Sequence, residues 1–389
     1  MSDLDRRAAP PGALPASLAA NPRLDRWLAF DAGGGVTVMP GKVELGQGIL
    51  TALAQIVAEE LDVALPRIRV TAASTPDSPD EGVTSGSLSV QHSGMALRHV
   101  AAAARAIHLQ VAAQRSGVPV DALRVEDGRF RAADGREVGS YWAQADAALL
   151  DCDAPVAVTP KPPGARRIVG TPVPRIDLPD KVFGVARFIQ DLRLPGMLHA
   201  RVVRPPARRA RLVSLRDGPL PDGAALARDG SFLAIVAGTE QAAEEAADRL
   251  AARAAWEATD TLPPEAALPD WLRAAPGEHA IILDRDDPAG PPARMLRAAF
   301  HRPYVTHASI GTCCAIARWQ DATLEVWTHS QGVYNLRADL AKALALPEAA
   351  ILVRHVEGAG CYGHNGADDV ALDAALAARA VPGLSLIHI

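Results

Sequence analysis

Two stretches near the start of the chain have apolar residues at the spacing of an amphipathic helix. In "ILTALAQIVAEELDV" the apolar positions are Ile49, Leu53, Ile56, Val57 and Leu61. This pattern predicts a helix, and a second, longer helix with an alanine-rich face is predicted from about Val90 to Arg115. Before them, "VTVMPGKVELGQG" predicts a strand, a turn, a second strand and a loop, and "RIRVTAAS" between them predicts a further strand.

The rest of the chain alternates predicted strands with predicted helices. "MLHARVVRPP" and "FLAIVAG" have the pattern of strands, and "QAAEEAADRLAARAAWE" that of a helix. Strand patterns flank a turn at Gln320-Asp321 and precede the predicted helix "YNLRADLAKALAL". The β-branched run from Ile351 to Val356 predicts a strand before a glycine-rich loop and an alanine-rich helix. One more strand begins in "GLSLIHI", and we expect the chain to be truncated there.

These elements predict an α+β (mixed α/β) fold built from several segments. The 389 residues are enough for two or three domains with a sizeable core. Prolines cluster in "TPKPPGARR", which is typical of a linker. The predicted boundaries are a leader at 1–27, a segment at 28–158, the linker at 159–167, a segment at 168–297 and a last segment at 298–389.

Charge and cysteine usage exclude several classes of protein. A formal charge of −5 gives no basic field for nucleic acid. Neither C-x-x-C nor H-E-x-x-H spacing occurs, so no metal ligand is assigned, and Cys152, Cys313 and Cys314 are expected to be small buried residues. No run is apolar enough to span a membrane, and no apolar stretch follows Arg6-Arg7, so a cytoplasmic location is expected.

The loop in "ILVRHVEGAGCYGHNGADD" has three glycines at G-x-G-x-x-G spacing. Gly358, Gly360 and Gly363 lie between a predicted strand and a predicted helix, as in a dinucleotide fingerprint. That fingerprint also needs a second strand ending in an acidic residue, and the chain ends before one. The helix is also predicted to begin only after Gly366. A tight turn without a ligand and a nicotinamide or flavin site both remain open.

Two other loops have residues that suit an anionic ligand. Gly46 and Gly48 flank Gln47 before the first helix, next to Glu44. The glycines expose backbone amides, and the glutamine side chain offers a donor and an acceptor. An ordinary loop before a helix is the alternative.

The second of these loops lies just before the long helix. It consists of Thr84, Ser85, Gly86 and Ser87. Hydroxyls and amides at a helix N-terminus favour a phosphate, and a simple Ser/Thr cap is the alternative.

Together these stretches resemble the molybdopterin-binding large subunits of the xanthine dehydrogenase/aldehyde oxidase family. The resemblance is carried by "GKVELGQGILTALAQIVAEELDV" with "TSGSLSVQHSGMALRHVAAAAR", and by "HASIGTCCAIARWQDATLEVWTHSQGVYNLRADLAKALAL" with "VEGAGCYGHNGADD". "RIVGTPVPRIDLPDKVFGVARFIQDLRLPGMLHARVVRPP" resembles the family's hammerhead a/b domain. The likeness covers nearly the whole chain after about Leu28. Because the Gly-Gln-Gly segment precedes the hammerhead-like segment, the order resembles the permuted isoquinoline 1-oxidoreductase and nicotinate dehydrogenase type.

The resemblance implies a set of cofactor-binding residues. Gln47, within Gly46-Gln47-Gly48, would contact the molybdenum ligands or the pterin, and Thr84, Ser85, Gly86 and Ser87 would hold phosphates. Gly360, Cys361, Tyr362 and Gly363 match a Gly-Gly-Phe-Gly loop whose amides approach the metal centre and the pterin, with Tyr362 in place of phenylalanine.

The resemblance also implies an activity and partners. The cofactor would be molybdopterin with molybdenum, in the cytosine dinucleotide form. The reaction would hydroxylate an N-heteroaromatic or aldehyde carbon of a small-molecule substrate, with water as the oxygen source. The family's catalytic glutamate has no counterpart here, so no catalytic residue is assigned. A separate small [2Fe-2S] subunit would take the electrons, because the chain lacks an iron–sulfur cysteine set. A module that binds nothing is the competing hypothesis, and a nicotinamide enzyme is the third.

Overall fold

The computed structural model describes residues 13–258, 262–278, 280–285, 294–358, 360–366, 369–381 and 385–388. Helices and strands are both abundant, so the predicted α+β class is confirmed. The predicted leader lies partly outside the described residues, as does part of the predicted final strand.

The N-terminal unit, residues 13–158, contains three helices and six strands. The helices are α1 (Ala16–Ala20), α2 (Ile49–Leu61) and α3 (Met95–Ser116), and a π-helical turn at Val90–Gly94 leads into α3. The strands are β1 (Leu28–Phe30), β2 (Val36–Val38), β3 (Ile68–Val70), β4 (Leu123–Glu126), β5 (Arg129–Ala132) and β6 (Glu137–Ser140). Both predicted helices are confirmed.

Two small sheets and one apolar core make up this unit. β2 pairs antiparallel with β1 and parallel with β3, and β4, β5 and β6 form an antiparallel sheet. The core includes the fully buried side chains of Trp27, Leu53, Leu97, Phe130 and Tyr141. The alanine-rich face of α3 lies in this core, where small side chains let the helices approach closely.

The remaining residues supply the other elements. The helices are α4 (Leu178–Val182), α5 (Glu240–Ala251), α6 (Leu268–Ala274), α7 (Val333–Leu344) and α8 (Val370–Ala378). The strands are β7 (Leu198–Val202), β8 (Arg211–Leu215), β9 (Ala225–Asp229), β10 (Phe232–Ala237), β11 (Ala254–Glu257), β12 (Ala315–Gln320), β13 (Thr323–Thr328), β14 (Ile351–His355) and β15 (Ser385–His388). Short 3-10 turns occur between many of these elements.

A seven-stranded sheet, called the central sheet, has the order β14-β13-β12-β15-β7-β10-β9. It combines strands from both sides of the boundary predicted at 297/298; the domain boundaries stay predictions. β13 and β14 are parallel and are connected through α7. The apolar, alanine-rich α8 packs across this sheet, with Ala371, Ala374 and Ala378 fully buried.

One sequence prediction in this region is wrong. "KVELG" does not form the second predicted strand, because its backbone is bonded to side chains instead of a neighbouring strand. Val43 donates its N–H to Thr84 Oγ1 (3.0 Å) and accepts at its carbonyl from Gln47 Nε2 (2.9 Å). The segment is therefore a fixed loop at the start of α2.

Candidate functional site

The edge of the central sheet at β14 is covered by the N-terminal unit. Thr75 donates its N–H to Val353 O (2.9 Å), and His355 donates its N–H to Ala73 O (2.8 Å). An exposed sheet edge would leave these backbone groups unpaired. This junction places the loops of the N-terminal unit beside the glycine-rich loop that follows β14.

Gln331 connects the Thr-Ser-Gly-Ser loop to the glycine-rich loop. Its buried side chain donates from Nε2 to Thr84 O (2.9 Å) and accepts at Oε1 from the N–H of Gly366 (3.0 Å). Its backbone carbonyl also accepts from the N–H of Thr84 (2.8 Å). Loops that are far apart in sequence are thus held together by one residue, through both its side chain and its backbone.

The Thr-Ser-Gly-Ser residues divide into one buried anchor and three exposed positions. Thr84 is buried, and its hydroxyl accepts from the N–H of Val43. Ser85, Gly86 and Ser87 are exposed, and Gly86 and Ser87 have successive positive φ angles of 66° and 60°. The π-helical turn and α3 follow directly. This arrangement leaves hydroxyl groups at the N-terminus of a long helix, where partial positive charge favours an anion.

The Gly46-Gln47-Gly48 loop surrounds a buried carboxylate. Glu44 Oε1 accepts from the N–H groups of Gly46 (2.8 Å) and Gly48 (2.9 Å), and Oε2 accepts from the N–H of Leu50 (3.2 Å). The expectation that these glycine amides are exposed for a ligand is therefore wrong. An anion already satisfies them, and it belongs to the protein.

The exposed side chain of Gln47 forms hydrogen bonds with the backbone of the same loop. Its Nε2 donates to Val43 O (2.9 Å), and its Oε1 accepts from the N–H of Leu45. The residue is exposed. Gln47 can reach a ligand only after these two local hydrogen bonds open.

His355, the last residue of β14, lies between the loops and is buried. Its Nδ1 is 3.0 Å from Ser330 O, and its Nε2 is 3.1 Å from Glu44 O. Burial lowers the pKa of this imidazole to about 4, against the opposing effect of the two carbonyl oxygens. The ring is therefore neutral at pH 7 and donates to one of the two carbonyls.

Glycine is favoured at the three positions of the predicted fingerprint for different physical reasons. A Cβ on Gly358 would lie 2.6 Å from His329 Nδ1, and one on Gly360 would lie 2.6 Å from Tyr362 Cε2. Gly363 has a φ of +89° with open space around it. α8 begins only at Val370. Gly358 and Gly360 thus pack closely against the side chains of His329 and Tyr362, an arrangement that does not favour a dinucleotide phosphate.

Within this loop, Cys361 and Tyr362 have opposite surroundings. Cys361 is buried, whereas Tyr362 is half-exposed and has a φ of +57°, which is uncommon for a residue other than glycine. The following Asn365 is buried, and its Nδ2 lies 2.6 Å from His329 Nδ1. Tyr362 is therefore the side chain of the predicted Gly360–Gly363 set that faces outward.

The cysteines only partly match the expectation that they are buried. Cys314 is buried, and burial raises the pKa of its thiol to about 12. Cys152 and Cys313 are only partly buried, and Cys313 Sγ lies 3.6 Å from His364 Nε2. That part of the expectation is wrong.

An ion-pair chain borders the Gly-Gln-Gly loop. Arg175 donates from Nη1 to Gly46 O (2.8 Å) and binds the buried Asp177 through Nε (3.0 Å) and Nη2 (2.6 Å). Hydrogen bonds from Arg175, with Lys181 beside it, hold the pKa of Asp177 well below its usual range despite burial. Lys181 Nζ also pairs with Glu357 (2.7 Å), just before Gly358.

Two kinds of feature are absent from the described parts of the chain. No group of three or more His, Cys, Asp or Glu side chains there is arranged to hold a metal ion. No helix within those same ranges is long and apolar enough to cross a membrane.

Comparison with known proteins identifies the family. Residues 15–159 and 289–383 each match a family model described as a molybdopterin cofactor-binding domain. The chain is 37% identical to the nicotinate dehydrogenase B-subunit of Pseudomonas putida over 91% of this chain and 31% of that protein. It is 32% identical to the isoquinoline 1-oxidoreductase beta-subunit of Brevundimonas diminuta over 48% of this chain and 29% of that protein.

This chain belongs to the xanthine dehydrogenase family of molybdopterin-binding large subunits. It is also 26% identical to the membrane-bound aldehyde dehydrogenase [pyrroloquinoline-quinone] of Gluconacetobacter polyoxogenes, over 92% of this chain and 49% of that protein. The chain thus spans between about a third and a half of the length of these relatives.

The residues of this molybdopterin-binding chain fit a phosphate-bearing pterin, with one movement required. Ser85 and Ser87 offer exposed hydroxyls at the start of the helical region. At the Gly-Gln-Gly loop the glycine amides are taken by Glu44, which leaves the exposed side chain of Gln47 as the group of this loop that would contact a cofactor.

Sequence reasoning missed two residues that organise this region. Gln331 and His355 belong to no motif, and they act through contacts with residues far away in the chain. A signal was present in the polar run Thr328–Gln331, which begins at the last residue of β13 and is buried throughout in the structure. Such a buried polar run indicates a hydrogen-bonded junction.

Proposed function

We propose that this chain forms part of the molybdopterin-binding subunit of a molybdenum hydroxylase that acts on an N-heteroaromatic carbon. The observation that carries the proposal is the junction at Gln331, which brings together loops matching both cofactor-binding domains. When bound, the molybdenum cofactor supplies the hydroxylation chemistry, with water as the oxygen source.

The residues of the chain would bind and orient that cofactor. Ser85 and Ser87 would donate to phosphate oxygens at the helix N-terminus. Gln47 would turn its amide outward, and Tyr362 would lie against the ligand beside the backbone of Gly360 and Gly363. The buried Gln331 keeps the two sides of the site in register.

Further details follow from the relatives and the sequence. Two relatives are named for nicotinate and isoquinoline, both N-heteroaromatic compounds, which supports that substrate class over the aldehyde of the third. We infer the cytosine dinucleotide form of the cofactor from the family resemblance alone. We also infer a separate [2Fe-2S] subunit from the family resemblance, with which the four cysteines of this sequence, none at C-x-x-C spacing, are compatible.

The test is cofactor retention by the protein itself. The chain would be produced in a host that synthesises molybdopterin and in an isogenic host that does not. After purification and a check of folding by circular dichroism, pterin is released by oxidation and measured by fluorescence. We expect pterin only from the first host. Folded protein without pterin from that host would refute the proposal and favour a module that binds nothing.

A further inference from the structure

We propose that Glu44 is the positioning residue of the Gly46-Gln47-Gly48 loop, which it holds in shape for the cofactor. The inference rests on the proposed function and adds a residue to the predicted site. Glu44 holds the loop from inside, whereas Gln47 is the residue assigned to the ligand.

The geometry around Glu44 is that of a loop wrapped around a carboxylate. The three N–H groups of Gly46, Gly48 and Leu50 converge on its two oxygens. The amides of both glycines can point to the same oxygen because Gly46 and Gly48 have φ angles of +102° and +80°, a conformation that glycine adopts without steric cost. Hydrogen bonds to an ionised acceptor are the strong ones. The backbone of the loop is therefore fixed by Glu44.

This arrangement separates two tasks within one short loop. Gln47 holds its position through bonds to the backbone of Val43 and Leu45, and it is exposed. Those neutral bonds can open while the carboxylate keeps Gly46 and Gly48 in place. Gln47 can then change partner without loss of the loop conformation.

Arg175 holds the same loop from its other side. Its Nη1 donates to Gly46 O, and its Nη2 lies 3.6 Å from Glu44 Oε1, so it balances the buried charge. Asp177 and Lys181 continue the chain of opposite charges to Glu357. Because Glu357 immediately precedes Gly358, this series of ion pairs sets the distance between the Gly-Gln-Gly loop and the glycine-rich loop. Glu44 is thus the first residue of a series of ion pairs that crosses the site and ends at Glu357.

A second glutamate of the same chain provides a matched control. Glu59 on α2 is also buried, and its Oε2 accepts from three successive amides, those of Arg167 (2.8 Å), Ile168 (2.6 Å) and Val169 (3.0 Å). Its contacts lie in the 159–167 linker region and just beyond it. Glu59→Gln therefore removes a comparable charge and hydrogen-bond set without touching the Gly-Gln-Gly loop.

The experiment compares the unchanged chain, Glu44→Gln and Glu59→Gln, each produced in the molybdopterin-synthesising host. Two quantities are measured: pterin per mole of folded protein, and hydrogen exchange of the affected amides. A glutamine side chain has one acceptor oxygen, so Glu44→Gln leaves Leu50 N–H facing a donor. We expect about tenfold lower pterin content in Glu44→Gln, the factor that the loss of one charge-assisted hydrogen bond produces. Exchange should rise at Leu50.

Glu59→Gln should show the complementary result. Its pterin content should match the unchanged chain, while exchange rises at 167–169. Full pterin content in Glu44→Gln, or an equal loss in both variants, would overturn the role of Glu44 and leave the proposed function standing. Absence of pterin from the unchanged chain would overturn the proposed function, and the role of Glu44 with it.

Discussion

Replacing Gln331 with methionine should remove the side-chain hydrogen bonds between the two loops that it joins, while its backbone bond to Thr84 and the volume of the side chain are kept. The buried carbonyl of Thr84 loses its donor, and the N–H of Gly366 loses its acceptor. An unpaired buried group costs about 1–3 kcal/mol. Gly366 is exposed, so water can replace part of its bond, and its share is about 1 kcal/mol at most. Together we expect a loss of about 1–4 kcal/mol in the free energy of unfolding.

The assay is urea unfolding followed by tryptophan fluorescence, together with hydrogen exchange at Gly366. The control is Gln144→Met, since Gln144 is also buried and bonds His108 Nδ1 (3.1 Å) in the core of the N-terminal unit. It should lower stability too, but leave exchange at Gly366 unchanged. A loss below about 0.5 kcal/mol in Gln331→Met, the size of an ordinary surface substitution, would refute the role of this side chain as the junction.

Two further predictions concern the same region. Because the pKa of His355 is lowered to about 4 from 6.5, its contribution to stability is complete above pH 6.5 and declines as the pH falls toward 4. His355→Gln should therefore reduce the loss of unfolding free energy between pH 7 and pH 5 by about 2 kcal/mol; an unchanged pH dependence in urea titrations would contradict this. Gly358→Ala should cost about 1–3 kcal/mol, because its Cβ would overlap the His329 ring. Gly238→Ala, where the Cβ meets open space, should shift the thermal midpoint little by comparison, and equal shifts would count against the packing argument.

Sequence periodicity was sufficient to predict the helices that pack through one apolar face. α2, α3 and α7 follow from the spacing of their apolar residues, because burial of such a face is a local property of the sequence. "KVELG" alternates polar and apolar residues as a strand does, but its backbone partners are the side chains of Thr84 and Gln47. A loop held by side chains from elsewhere cannot be distinguished from a strand by its own pattern.

The candidate site could be located from the sequence but not assembled from it. Glycines and hydroxyl residues indicated the position of each loop, since glycine adopts positive φ angles and Ser and Thr cap helix N-termini. The contacts of Gln331 and His355 join residues hundreds of positions apart, which no local signal records. The role of Glu44 was also hidden, because a carboxylate beside a glycine loop is compatible with both binding a ligand and holding the loop.

The position of β15 has a consequence for how the chain folds. This strand lies in the middle of the central sheet, parallel to β7 and antiparallel to β12. Without it, the sheet order leaves two separate three-stranded pieces, β14-β13-β12 and β7-β10-β9. Joining strands so distant in sequence requires closing a large loop before any pairing energy is gained, which slows folding. We therefore expect the N-terminal unit to form early. Until β15 pairs, the strands β12 and β7 each have an unpaired edge, which a chaperone could protect.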